Sequence, residues 1–338
     1  MPAQRVLTGI KPSGTPHLGN LLGAIRPAIR LADEGLEAMY FIADYHALTT
    51  MHPPEKTAEH LRQSTYEVAA TWLACGLDPE RVLFYRQSDV PEIFELTWIF
   101  DCFTPKGWMN KAHVYKDWIA KQEAAGEADV DAGFNMGGYS YPVLMAADIL
   151  AFDAHVVPVG KDQAQHVEIA RDIGQRINSA YGKDVLVLPK ARIDDNTAII
   201  PGLDGRKMSK SYDNVIPLFA PTKKLKKIVN QIVTDSTPPE APKDPDKSTI
   251  FEIYRAIATP EEARSLAERY HAGIGWGEAK NTLFERIEAE VEQARVRYDA
   301  LMADPAKIDE LLAIGAKKAR PIARATLDRV RTAIGIAR

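Results

Sequence analysis

The chain has 338 residues, of which 46% are hydrophobic and 26% charged, and it carries a net charge of −4. This length fits two domains at about 100–200 residues each, and the composition excludes a disordered or fibrous chain. A dedicated coat-like nucleic-acid binder is basic overall, so the net acidity confines any RNA contact to a local patch.

The two cysteines, Cys75 and Cys102, form no CxxC and join no Cys/His cluster at metal spacing. That argues against a disulfide framework and a structural zinc site, and a reducing, cytoplasmic location is the expectation. Residues 1–5 lead directly into strand-like sequence, and the longest apolar stretch, 141–152, is broken by Asp148. It falls short of the about 18 residues of a membrane span, so neither a targeting nor a membrane segment is expected.

Residues 5–10 predict a short buried strand, followed by the turn Lys11-Pro12-Ser13-Gly14-Thr15-Pro16. Leu18, Leu21, Leu22, Ile25 and Ile29 then recur at spacings of three and four, the period of a helix. A second strand is expected at 38–43, a helix from about 54 to 75, a third strand at 82–85 and a helix from Pro91. The alternation continues with a helix at 141–152, a strand at 156–159, a helix from about 163 to 181 and a strand at 185–188. Such alternation implies an α/β fold, a Rossmann-type doubly wound parallel sheet, filling 1–203. Beyond a basic loop at 204–216 strand-like runs disappear, and 217–338 reads as a helical domain. Four prolines between Thr237 and Asp246 mark an exposed connection there. The final segment, Ala313 to Arg338, carries seven cationic side chains against Asp328, a net of +6. Its apolar and basic stripes predict a helix that packs and presents charge at once, with Arg320, Arg324 and Arg331 as candidates for RNA phosphates.

Two short segments carry the chemistry. His17-Leu18-Gly19-Asn20 opens a helix after a glycine-bearing turn, where unpaired backbone N–H groups and the positive end of the helix dipole form an anion site. Gly9 and Gly19 would let backbone approach a ligand, and His17 is placed to donate to a phosphate oxygen as charge builds at the α-phosphorus. Lys207-Met208-Ser209-Lys210-Ser211 lies in a loop flanked by Gly205 and Asp213-Asn214, and its two ammonium groups suit a pyrophosphate leaving group. A Walker loop is excluded, because GxxxxGK[ST] does not occur.

Together the two segments resemble the paired signatures of class I aminoacyl-tRNA synthetases. Further runs, among them Tyr141-Pro142, Leu144 to Leu150, Val157 to Gly160, Asp162-Gln163 and Val233 to Ser236, resemble bacterial-type tryptophanyl-tRNA synthetases over nearly the whole chain. The resemblance implies activation of L-tryptophan by ATP, transfer to tRNA(Trp), a homodimer, and Mg²⁺ held mainly by the ATP phosphates, with no metal site on the protein. It implies His17, Lys207 and Lys210 as catalytic residues. ATP would meet Lys11, Pro12, Ser13, Gly19, Asn20, Gly160, Lys161, Asp162 and the loop Lys207, Met208, Ser209, Lys210 and Ser211. Tryptophan would meet Asp148, as acceptor for the indole N–H, together with Tyr141, Met145, Gln163, His46, Val157 and Val159. It further implies that 217–338 binds the anticodon region, with the last helix a candidate to pack back on the catalytic domain.

Lys11 and Leu7 stand where the family commonly has glutamine and phenylalanine, and 134–138 also departs from its pattern, which points to a divergent or auxiliary paralogue. Two alternatives stay open at this level: a tyrosyl-type synthetase, and a synthetase-derived tryptophan-binding or partner-tethering protein with weak charging activity.

Overall fold

Five short strands form one parallel sheet: β1 (Arg5–Ile10), β2 (Glu37–Ile42), β3 (Leu83–Arg86), β4 (Val156–Val159) and β5 (Lys190–Ile193), in the order β3-β2-β1-β4-β5. The computed structural model describes residues 4–50, 58–182, 184–193 and 200–336, apart from the side chain of Asp162. Val6 pairs with Ala38 in β2 and with Val156 in β4, and Met39 pairs with Leu83 in β3. The winding reverses between β1 and β4. Their carboxyl ends therefore diverge there, and that is where an open α/β sheet offers a crevice to ligands.

Strand side chains alternate between two cores. Val6, Tyr40, Ile42 and Phe84 face one, with Val68 and Trp72 of the helix Ala58–Ala74 and Leu283 and Ile287 of the helix Trp276–Ala303. Leu7, Met39, Phe41 and Tyr85 face the other, packed with the helices Glu92–Phe103, Tyr141–Leu150 and Ala164–Tyr181. Both faces are buried because helices cover both, so β2 reads as a continuous apolar run. A slip of one residue would exchange the two sets, which at roughly 1.5–3 kcal/mol per large apolar side chain fixes the register.

Most elements fall where the periodicity places them, with strand ends displaced by one residue at β2 and β3. The expected helix at 54–75 is described from Ala58 to Ala74, and its predicted start lies outside the described residues. The expected strand at 185–188 is absent, and β5 lies at Lys190–Ile193 instead. Asn178 is the cause. Its side chain accepts from Leu186 N–H at 2.9 Å and donates to Leu186 C=O at 2.8 Å, taking both backbone groups a sheet would use. Pairing resumes where Lys190 N–H donates to His155 C=O at 2.9 Å.

Past residue 203 the described residues hold helices and no strand in the sheet. Ser248 caps the helix Thr249–Ile257, and a reciprocal Thr259–Glu262 capping box starts Pro260–Ala272. The proline-rich connection is largely exposed, as expected, except at Lys243 and Pro245. Lys243 within it is 5% exposed, and its ammonium donates to the carbonyls of Pro238, Ala241 and Pro239 at 2.6, 3.0 and 3.3 Å. Prolines bring acceptors without donors, and a buried cation satisfies them.

The terminal helix Pro305–Ile334 crosses the edge strand β3. Ile308 and Leu312 belong to one core, Ala316, Ala319 and Ala323 to the other, and Gly315 lies between them. A Cβ at Gly315 would stand 1.8 Å from the Phe84 carbonyl oxygen, so only glycine admits this approach. The helix thereby covers an edge that would otherwise expose unpaired backbone. Among the described residues no helix is long and apolar enough to cross a membrane.

Candidate active site

The carboxyl end of β1 leads into the Lys11–Pro16 turn and then the helix that opens at Leu18. His17 caps it, its backbone N–H donating to Asn20 Oδ1 at 3.0 Å. The two signature segments are stitched together by backbone: Leu18 N–H donates to Ile216 C=O at 2.9 Å and Leu218 N–H to Pro16 C=O at 3.1 Å. His17 and Pro217 thus form an antiparallel bridge immediately downstream of the lysine loop. Met208 is buried, with its sulfur 3.3 Å from Gly19 N–H. Lys210 reaches back across the turn, donating to Gly14 C=O at 2.7 Å and Ser13 C=O at 3.3 Å. Lys207 is exposed, and Ser209 and Ser211 hydrogen-bond each other through their hydroxyls at 2.8 Å.

Burial and the neighbouring Lys210 charge lower the His17 pKa from 6.5 to about 4, so the ring is neutral at pH 7. Its Nδ1 is buried and has no hydrogen-bond partner among the described residues. Burial also lowers the Lys210 pKa, which is the expected cost of holding an ammonium against carbonyls. The loop owes its shape to Asn214, which sequence reasoning noted only as a flank. Asn214 is 2% exposed; its Oδ1 accepts from Ser209 N–H at 2.8 Å, and its Nδ2 donates to Asp204 at 2.7 Å and Lys207 C=O at 3.1 Å. The Asp213-Asn214 pair, two turn-forming residues in succession, is the signal that could have found it.

Gly9 serves a different purpose from the expected one. A Cβ there would meet the Phe41 ring at 2.4 Å, so the missing side chain makes room for a core aromatic rather than for a ligand. Lys11 Nζ donates to Thr49 Oγ1 at 3.3 Å, Pro12 is buried and Ser13 is exposed. Gly160 ends β4 and caps the short turn Lys161–Gln163, where the Asp162 side chain lies outside the described residues.

The second half of the site is built on the helix Tyr141–Leu150. Asp148 is 1% exposed, and both of its oxygens are engaged. His46 Nε2 donates to Oδ2 at 2.8 Å, and Gln87 Nε2 donates to Oδ1 at 2.8 Å and Oδ2 at 3.0 Å. Burial raises the Asp148 pKa while the His46 and Gln87 bonds oppose that rise. Asp148 thus has structural partners of its own, and His46 contacts the acid rather than standing free in the pocket. The His46 ring also packs on Tyr141 at 4.4 Å, and Tyr141 lies 5.5 Å from the ring of His166, which bonds Gln163 Oε1 at 2.9 Å. Met145, Val157 and Val159 pack in the same core as Leu7. Gln87, in the polar run Arg86 to Asp89 that closes β3, went unrecognised; its place at a strand's carboxyl end was the available clue.

The terminal-helix arginines are not a free patch. Arg320 pairs with Glu92 at 3.0 Å, Arg331 with Glu95 and Asp328, and Arg324 with Asp328 at 3.1 Å. Arg329 pairs with Asp153 at 2.5 Å. Arg320, Arg329 and Arg331 dock the helix on acids of the α/β layer, whereas Arg324 pairs within its own helix.

A family model for class I tRNA synthetases (W and Y) matches residues 2–292. The chain is 52% identical to the Tryptophan--tRNA ligase of Neisseria meningitidis over 337 residues, 99% of each chain. It is 54% identical to that of Xanthomonas campestris over 334 residues, 98% of this chain and 76% of the other. Tryptophanyl-tRNA synthetase from Campylobacter jejuni, solved with ADP and tryptophan, superposes at a TM-score of 0.88 with 43% identity, covering 98% of this chain and 100% of that one. These likenesses show the family: the chain belongs to the class I tRNA synthetases. Within that class its reaction is the ATP-dependent attachment of tryptophan to tRNA, catalysed by the tryptophan--tRNA ligases.

Proposed function

We propose that residues 1–203 activate tryptophan, that the loop 204–216 attends the leaving pyrophosphate, and that 217–338 positions tRNA(Trp). The observation that carries this reading is the backbone stitching of Pro16–Leu18 to Ile216–Leu218, which sets Lys210 Nζ 2.7 Å from Gly14 C=O. The ammonium occupies turn carbonyls that ATP phosphates would replace as its partners. His17, with the N–H groups around Gly19 and Asn20, would meet the α- and β-phosphates, and Lys207 and Lys210 the leaving group. Lys11 would add a third cation on release from Thr49, and Gly160, Lys161 and Asp162 would hold the ribose. Mg²⁺ would arrive on the ATP phosphates and neutralise the charge that develops there.

Asp148 would accept the indole N–H, Tyr141 and Gln163 would hold the α-amino group, and Met145, Val157 and Val159 would line the ring. His46 acts through Asp148. The amino acid's own carboxylate is the nucleophile, so the protein supplies position and charge. The helix Thr222–Val229 exposes Lys223, Lys224 and Lys227, which replace the docked arginines as candidates for tRNA phosphates. The homodimer reading is supported by an exposed aromatic patch: Trp98 is 70% exposed, one turn from Phe94, whose ring lies 4.2 Å from Tyr45. A cytoplasmic location follows from the substrates.

Amino-acid-dependent exchange of pyrophosphate into ATP tests the substrate, and charging of tRNA(Trp) tests the second step. Exchange with tryptophan at least 10²-fold above tyrosine is expected, because a site built around an N–H acceptor rejects rings lacking the matching donor by that margin or more. Exchange with tyrosine alone, or tight tryptophan binding with no charging, would overturn the proposal.

A further inference from the structure

We infer that Gln87 is a specificity-determining positioning residue of the tryptophan site, selecting Oδ1 of Asp148 as the oxygen that receives the indole N–H. The inference rests on the assignment of Asp148 as that acceptor.

A carboxylate offers about four lone-pair positions. Among the described residues, Oδ2 accepts from both His46 Nε2 at 2.8 Å and Gln87 Nε2 at 3.0 Å, which fills it. Oδ1 accepts from Gln87 alone, at 2.8 Å, and keeps one position. The amide cannot exchange its ends, because Gln87 Oε1 accepts from Tyr45 N–H at 3.2 Å on the opposite side. Gln87 is fully buried, so neither water nor a second rotamer competes.

The backbone that carries Gln87 is fixed on both flanks. Arg86 is held by Asp89 at 2.9 Å and by Asp309 of the terminal helix at 2.8 Å. Ser88 donates from N–H and hydroxyl to Asp44 at 3.1 and 2.5 Å. Three consecutive residues thus anchor the terminal helix, the buried acid and the start of the segment after β2. Without Gln87, Oδ1 would lose the one donor it has among the described residues, and the carboxyl group would rotate or take up a proton. Either change mispresents the acceptor, and a mispresented acceptor no longer separates an N–H from a sulfur of the same shape.

The test compares tryptophan with 3-benzothienylalanine, in which sulfur replaces the indole N–H, in pyrophosphate exchange by wild-type protein, Gln87→Met and Gln87→Glu. The Glu variant retains an acceptor for Tyr45 N–H and the side-chain length but sets a second carboxyl group against Asp148, so it disturbs the acceptor without opening space in the core and complements the Met variant. The expected result is a roughly tenfold fall in the tryptophan-to-analogue ratio of kcat/KM, carried by the KM for tryptophan, with the analogue changed less than about twofold. A merely structural role would depress both substrates together, and an unchanged ratio in the folded variants overturns the inference. Asp148→Ala separates the two layers of the argument. If it abolishes the ratio while the Gln87 variants keep it, the inference about Gln87 alone falls; if it too keeps the ratio, the assignment of Asp148 falls first.

Discussion

His17 is a buried imidazole beside a cation, and that environment has a consequence for stability. Its pKa in the folded chain is about 4, against 6.5 for an ordinary histidine, because burial and Lys210 both disfavour the charged ring. Between those values the unfolded chain binds a proton that the folded chain does not, so stability falls as pH drops from 6.5 toward about 4. Denaturant unfolding of wild type and His17→Asn across that window should show the wild type losing more stability than the variant. Equal slopes would mean that His17 is not the group responsible. Asp148 shows the opposite sensitivity to context. Its place on an apolar helix was legible from the sequence, since a carboxylate there must find partners, but His46 lies 102 residues away and Gln87 61 residues away. No local pattern names partners at such separations.

The terminal helix illustrates how an element's role depends on what it touches. Its stripe of alanines and its arginines were visible in the sequence, yet the same pattern suits an RNA-facing helix and a docked one. Packing across β3 decides for the docked form, and Gly315 is the residue that allows it. Gly315→Ala normally stabilises a helix by about 0.5–1 kcal/mol. Here the added methyl would meet the Phe84 carbonyl, so a destabilisation of about 1–3 kcal/mol is expected, read as a fall of a few degrees in Tm. A rise in Tm would show that the helix does not need the contact. The missing strand at 185–188 teaches the same lesson in reverse: a continuous apolar run was present, and one asparagine side chain took the backbone groups that pairing required.

At the scale of the whole molecule, charge is spent on internal docking as well as displayed. Arg320, Arg329 and Arg331 meet Glu92, Asp153 and Glu95, so half of the +6 of the final segment is matched by acids of the α/β layer, while Lys317 and Lys318 stay exposed. Solvent screens the arginine side of these pairs, so their effect is orientation more than stability. The Trp98 patch remains uncovered in a single chain. Under the proposed dimer, Trp98→Glu should convert a species of twice the chain mass to one of single mass in analytical ultracentrifugation at micromolar concentration. A wild-type protein that sediments as a monomer would remove the patch from consideration as a self-interface.

The sequence by itself determined the parallel α/β architecture, the order of its strands and helices, and the adenylate chemistry, because hydrophobic periodicity and short motifs report local backbone and local reactivity. Only the tertiary structure decided which groups satisfy one another: His46 and Gln87 on Asp148, Lys210 on the Ser13–Gly14 carbonyls, Asn214 on its own loop, and the terminal arginines on Glu92, Glu95 and Asp153. Buried polar groups must be paired, but the partner is chosen by which elements the fold brings within about 3 Å, and that choice spans up to 264 residues of chain here.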